Sequence, residues 1–134
     1  MCRFLSVQKE IESQLVEELK KFITIFYGEN PINSKNLSKL EKKQYSKTSE
    51  LLKRYKKEKR ILFGGIYSKK RMKISPTIFK VKLEEKDIIQ KELFSSLLPV
   101  IKIENKDSVL KKINEASKPL ACLLYTSDAA DDLL

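Results

Sequence analysis

The chain has 134 residues, 28 lysines and arginines against 18 acidic side chains for a formal charge of +10, 41% hydrophobic content and no histidine. That length and apolar content suit one domain with its own core. A histidine-based triad or zinc site is excluded, and Cys2 and Cys122, far apart and without ligand-type neighbours, make neither a metal box nor a disulfide framework.

No apolar run reaches the roughly 18 residues of a membrane span, and "MCRFLSV" is too short for a signal peptide, so a cytoplasmic location is expected. The first element is an amphipathic helix over residues 6–27, where Val7, Ile11, Leu15, Leu19, Phe22, Ile23 and Phe26 recur at three- and four-residue spacing. Gly28 closes it, and Pro31 lies where it cannot continue. A second helix is expected over residues 37–57, with capping-box spacing in Ser38 to Glu41 and an inner stripe of Thr48, Leu51, Leu52 and Tyr55.

This second helix lies in the most basic part of the chain. Residues 34–60 hold eleven basic and three acidic side chains. Nearly all the basic residues are lysine, whereas base-edge and bidentate phosphate recognition favours arginine. The segment therefore reads as a solvated helix face without a nucleic-acid partner, and a small Lys-rich nucleic-acid-binding module is the alternative.

Beyond it the period changes. "RILFGG" gives a short strand over residues 61–63 ended by Gly64 and Gly65, and residues 72–83 alternate as an extended segment that Pro76 makes an edge strand or interrupts. "DIIQ" starts a short helix at Asp87, and residues 99–103, "PVIKI", form a strand. Asp107 caps a last helix with Val109, Leu110, Ile113 and Ala116 on one face. The order α-α-β-β-α-β-α is that of an α/β fold, not a bundle. From Cys122 onward lysine is absent and Asp128, Asp131 and Asp132 appear. "CLLYTSDAADD" looks like the conceptual translation of a transposase adapter used in sequencing libraries, so residues 122–134 are read as an artefactual tail.

Taken in order, "FYGENP", "FGG", "SPT" at Ser75 to Thr77, "QKELF" at Gln90 to Phe94, "LPV" at Leu98 to Val100 and "INEASKPLA" at Ile113 to Ala121 resemble the aldehyde dehydrogenase superfamily around its E-x-F-G-P motif. The likeness is to the class 3 type of fatty- and coniferyl-aldehyde dehydrogenases. It implies that residues 1–121 are a partial catalytic domain, from its C-terminal part, of an enzyme that is a homodimer and oxidises aldehydes with NAD or NADP through a cysteine thioester. By the same resemblance, Glu92 accepts hydrogen bonds from the ribose on the nicotinamide side of the cofactor, and Phe94 lines that cleft. A carboxylate suits the task, because its two acceptor oxygens can hold two adjacent hydroxyls. Ser95 and Ser96 stand where the family has Gly-Pro. The family's nucleophile aligns just ahead of Met1, Cys2 does not fall on it, and this stretch alone is expected to be inactive.

Overall fold

The computed structural model describes residues 4–85, 87, 88 and 96–115. Its regular elements are β1 (Leu5–Gln8), α1 (Glu12–Tyr27), α2 (Lys42–Lys57), β2 (Ile61–Phe63), β3 (Tyr67–Ser68), β4 (Lys73–Ile74), β5 (Thr77–Lys80), β6 (Leu97–Ile103) and α3 (Lys106–Glu115). Four strands form one sheet in the order β1-β6-β5-β2, and β3 pairs with β4 in a separate ribbon. β1 and β5 run parallel to β6, while β2 is antiparallel to β5.

Side chains alternate across this sheet, and each face has its own helix. Phe79, Val81, Leu97 and Ile101 pack with Tyr45, Leu52 and Tyr55 of α2. Ile78 and Val100, one step out of phase, join Val7 and meet Leu15, Leu19 and Ile23 of α1. The result is a mixed α/β arrangement with helices on both faces. Strands covered on both sides read as unbroken apolar runs, which is why β6 starts at Leu97 in "LLPVI" and not at Pro99.

Proline in a central strand is unusual because it lacks the ladder donor. Register between β1 and β6 starts at Leu5 against Val100, one residue past Pro99, so the missing N–H falls outside that registered pairing.

Several boundaries differ from the expectation for physical reasons. Residues 5–8 are strand, not the start of a helix. Val7 and Ile11 are four apart, a spacing that fits a helical stripe, yet Leu5 and Val7 also alternate and their pairing with β6 buries Val7. Of the expected stripe on α1, Ile11, Phe22 and Phe26 are exposed. α2 begins at Lys42, with Glu41 extended at its N-cap and no side-chain cap. The residues before it are held by tertiary contacts instead: Leu37 is buried, and the Leu40 amide donates to the Met72 carbonyl at 2.8 Å.

Pro76 interrupts the 72–83 segment, leaving β4 in the ribbon and β5 inside the main sheet. At α3 the cap is Asn105, not Asp107: its Oδ1 accepts the Asp107 amide at 2.9 Å. Of the short helix expected at Asp87, only Asp87 and Ile88 are described, and both are helical.

Candidate functional site

Glu92 and Phe94 lie outside the described residues, as does Cys2. The structure describes the residues on either side of that stretch. Glu92 is four residues from Ile88 and four from Ser96.

On the entry side, Ile88 is 4% exposed within the α2-side core. Three residues earlier, Glu85 is fixed from several directions. The Tyr55 hydroxyl donates to its Oε2 at 2.6 Å, the Arg60 guanidinium pairs with Oε1, the Lys82 amide donates to Oε1 at 3.0 Å, and Arg54 stands 3.5 Å from Oε2. Arg60 also lies over the Tyr55 ring, 4.6 Å from its centroid. Tyr55, fully buried against Phe79, thus ties the end of α2 to the chain leaving β5.

Burial pushes the Glu85 carboxyl up, but the hydrogen bonds from Arg60, Tyr55 and the Lys82 amide, with the Arg60 charge, outweigh it and hold it at about 2. Burial, then the bond to Glu85, pushes the Tyr55 phenol up to about 12. Because the Glu85 pKa is lowered on folding, its contribution is fully present above the ordinary carboxylate range and is lost as pH falls from about 5 towards 2. The contribution is at most about 3 kcal/mol. Urea unfolding of wild type and Glu85→Gln should show the wild type losing more stability over that range; parallel pH profiles would remove the clamp.

On the exit side a polar network surrounds the first residue of the return. The Thr77 amide donates to the Ser96 carbonyl at 2.9 Å, and the Ser96 hydroxyl donates to the Ile74 carbonyl at 2.8 Å. Thr77 Oγ1 accepts the Gly65 amide at 2.9 Å and donates to the Ser75 carbonyl at 2.8 Å. Ser75 in turn accepts the Ile66 amide through its hydroxyl at 3.1 Å. The "FGG" and "SPT" stretches therefore meet across β2 and β5, and Gly64 is packed so closely there that a Cβ would lie 2.1 Å from the Pro76 carbonyl oxygen.

The aldehyde dehydrogenase family model matches residues 1–131. The chain belongs to the aldehyde dehydrogenase family. It is 31% identical over 126 residues to an aldehyde dehydrogenase of Craterostigma plantagineum, covering 93% of this chain and 26% of that protein. It is 32% identical to aldehyde dehydrogenase family 3 member I1, chloroplastic, of Arabidopsis thaliana, covering 93% and 23%. The chain thus spans about a quarter of the length of these curated relatives. Among solved structures, glyceraldehyde-3-phosphate dehydrogenase GapN of Methanocaldococcus jannaschii, complexed with NADP, superposes with a TM-score of 0.74 at 16% identity, over 98% of this chain and 28% of that one. An aldehyde dehydrogenase of Bacillus cereus superposes with a TM-score of 0.70 at 21% identity, over 96% and 28%. At these identities the structural likeness speaks for the fold.

In this aldehyde dehydrogenase segment the residues of the resemblance divide into two groups. Ser75, Thr77, Gly64 and Gly65 are brought together as supports, and Leu98 and Val100 lie in β6, where Val100 is buried in the core. The Tyr55–Glu85–Arg60 clamp has no signature in the sequence: Tyr55 fits the apolar stripe of α2, and Glu85, thirty residues away, sits in "LEEKD" among other charges. Nothing local marks such a pair.

Two other features offer less to a small molecule. A depression of about 330 Å³ beside the clamp is lined by Arg54, Glu84, Glu85, Asp87 and Ile88, without the apolar walls of a ligand pocket. The α2 lysines 42, 43, 47, 53, 56 and 57 are exposed. Among the described residues no cluster of acidic or cysteine side chains could hold a metal ion.

Proposed function

We propose that this chain is the part of a class 3-like, NAD(P)-dependent aldehyde dehydrogenase that holds the nicotinamide side of the cofactor, from the C-terminal part of the catalytic domain. The supporting observation is that both ends of the Glu92-bearing stretch are tied down, by the Glu85 clamp on one side and the Ser96 network on the other. The family 3 relatives favour the class.

In this reading Glu92 accepts hydrogen bonds from two ribose hydroxyls and so fixes the ring, and Phe94 limits its swing. NAD(P)+, when bound, supplies the hydride acceptor. The aldehyde carbon is attacked by a cysteine thiolate contributed by residues ahead of this segment. The aldehyde would thereby be oxidised to the carboxylic acid through a thioester on that cysteine, which water hydrolyses. The parent enzyme works as a homodimer on a small-molecule aldehyde, with no nucleic-acid partner. Residues 1–121 carry this function and residues 122–134 do not.

Sequencing the genomic DNA on both sides of the coding segment tests the proposal. The expected result is an in-frame cysteine codon a few positions ahead of Met1, and a continuation after Ala121 that lacks "CLLYTSDAADD". A stop codon shortly upstream, or the acidic tail encoded in the genome, would point to a free-standing chain with no nucleophile of the family type.

A further inference from the structure

We propose that the β3–β4 ribbon and the start of α2 form a surface that docks on an anionic lipid bilayer. The two are held side by side. The Leu40 amide donates to the Met72 carbonyl at 2.8 Å, Lys73 Nζ donates to the Ser34 carbonyl at 2.8 Å, and the Arg71 guanidinium donates to Asn33 Oδ1. Leu40 and Met72 also pack on the core that holds Tyr45 of α2. Residues 39–43 and 69–73 therefore make one continuous surface, with seven basic side chains against a single carboxylate, Glu41.

Most of that charge has no partner within the protein. Lys39, Lys42, Lys43, Lys69 and Lys70 are exposed, and among the described residues none of them forms an ion pair. Elsewhere lysines do find carboxylates, Lys20 with Glu17, Lys21 with Glu18 and Lys80 with Glu12. Lys42 and Lys43 also open α2, whose first turn has no acidic residue, at the end where a helix dipole favours carboxylates. The arrangement costs local helix stability and concentrates positive potential.

An apolar element completes the surface. Ile66, which leads into β3, is 56% exposed, and Tyr67, the first residue of β3, is 37% exposed. Each lysine near an acidic bilayer adds to the attraction, and apolar side chains among them bury area at the headgroup boundary. A nucleic acid fits this surface less well. Its readers use guanidinium forks and aromatic stacking, whereas Arg71 is tied to Asn33 and Ile66 has no face on which a base can stack. The contact is one of surface to surface; among the described residues no helix is long and apolar enough to cross a membrane.

Sedimentation of the complete enzyme with vesicles of equal parts phosphatidylcholine and phosphatidylglycerol tests the proposal. Binding is expected at low salt and should be lost at high salt, and on vesicles of phosphatidylcholine alone. Lys69→Gln combined with Lys70→Gln should weaken partitioning about 10- to 30-fold, and Ile66→Ser about 3- to 10-fold. A second pair, Lys102→Gln with Lys106→Gln, removes the same charge from exposed positions at the carboxyl end of β6, whereas the ribbon leads into β5 at Thr77, beside Leu97 at the start of β6. This pair should change partitioning by less than about twofold. No binding at low salt, or equal losses in the two lysine pairs, would overturn the proposal. Wild-type partitioning by Ile66→Ser, together with tighter binding of polyuridylate than of the vesicles, would assign the surface to nucleic acid instead.

Discussion

Gly64→Ala should cost about 2 to 5 kcal/mol of folding stability, a large share of the roughly 5 to 15 kcal/mol of a typical domain. Two separate terms contribute. Gly64 has φ +81°, where an L side chain is strained by about 1–2 kcal/mol. Its added Cβ would also lie 2.1 Å from the Pro76 carbonyl oxygen and 3.0 Å from Thr77 Cα, so backbone must shift, at a further cost of about 1–3 kcal/mol. Gly28 isolates the first term, because its φ is +82° but nothing lies within 4 Å of its Cβ position. Urea denaturation of the two alanine variants should place Gly64→Ala well below Gly28→Ala; equal midpoints would show that the contact with Pro76 relaxes at no cost. Because the same contact supports Thr77, amide exchange at Gly65 should speed up in the Gly64 variant alone.

Glu92→Gln is expected to slow hydride transfer in the complete enzyme by about ten- to a hundredfold. Glutamine keeps one acceptor oxygen but puts an amide donor where the second ribose hydroxyl would donate, and it removes the charge. A hydrogen bond to an ionised group contributes about 1.5–3 kcal/mol, and each 1.36 kcal/mol is tenfold in rate. The loss reaches the rate, and not binding alone, to the extent that the ribose bonds orient the ring for transfer. Protein stability should be unaffected, so an intact fold with slow transfer separates this variant from Gly64→Ala.

The parts of the fold legible in the sequence were those whose pattern is local. Of the α2 stripe, Thr48, Leu52 and Tyr55 are buried as the spacing requires and Leu51 is half-buried, and the break at Pro76 follows from the missing donor. The β1 strand was not legible, because Val7 and Ile11 satisfy a helical spacing as well as Leu5 and Val7 satisfy a strand, and only the parallel partner β6 decides. The same holds at the N-terminus of α2, where Leu40 is held by Met72, thirty-two residues on, against the local capping signal in "SKLE".

For the site, the motifs pointed to Glu92 and Phe94 through the family resemblance, while composition and spacing alone left Glu92 as one carboxylate among many. The supports were visible as motifs without roles. "SPT" and "FGG" become a network only when β2 and β5 pair, and Ser96 joins it only when the Ile74 carbonyl is beside its hydroxyl. Charge told least: Arg54 and Arg60, two of the eleven basic residues in the 34–60 segment, are drawn to Glu85.

Single-turnover reduction of NAD(P)+ on mixing aldehyde with the complete enzyme, compared between wild type and Glu92→Gln, tests the central claim most directly. The account predicts a burst of reduced cofactor in the wild type that is about ten- to a hundredfold slower in the variant, with the thiol reacting at the same rate in both. A burst of equal rate in the two proteins would contradict it, and would leave this segment as structural support for a cofactor held elsewhere.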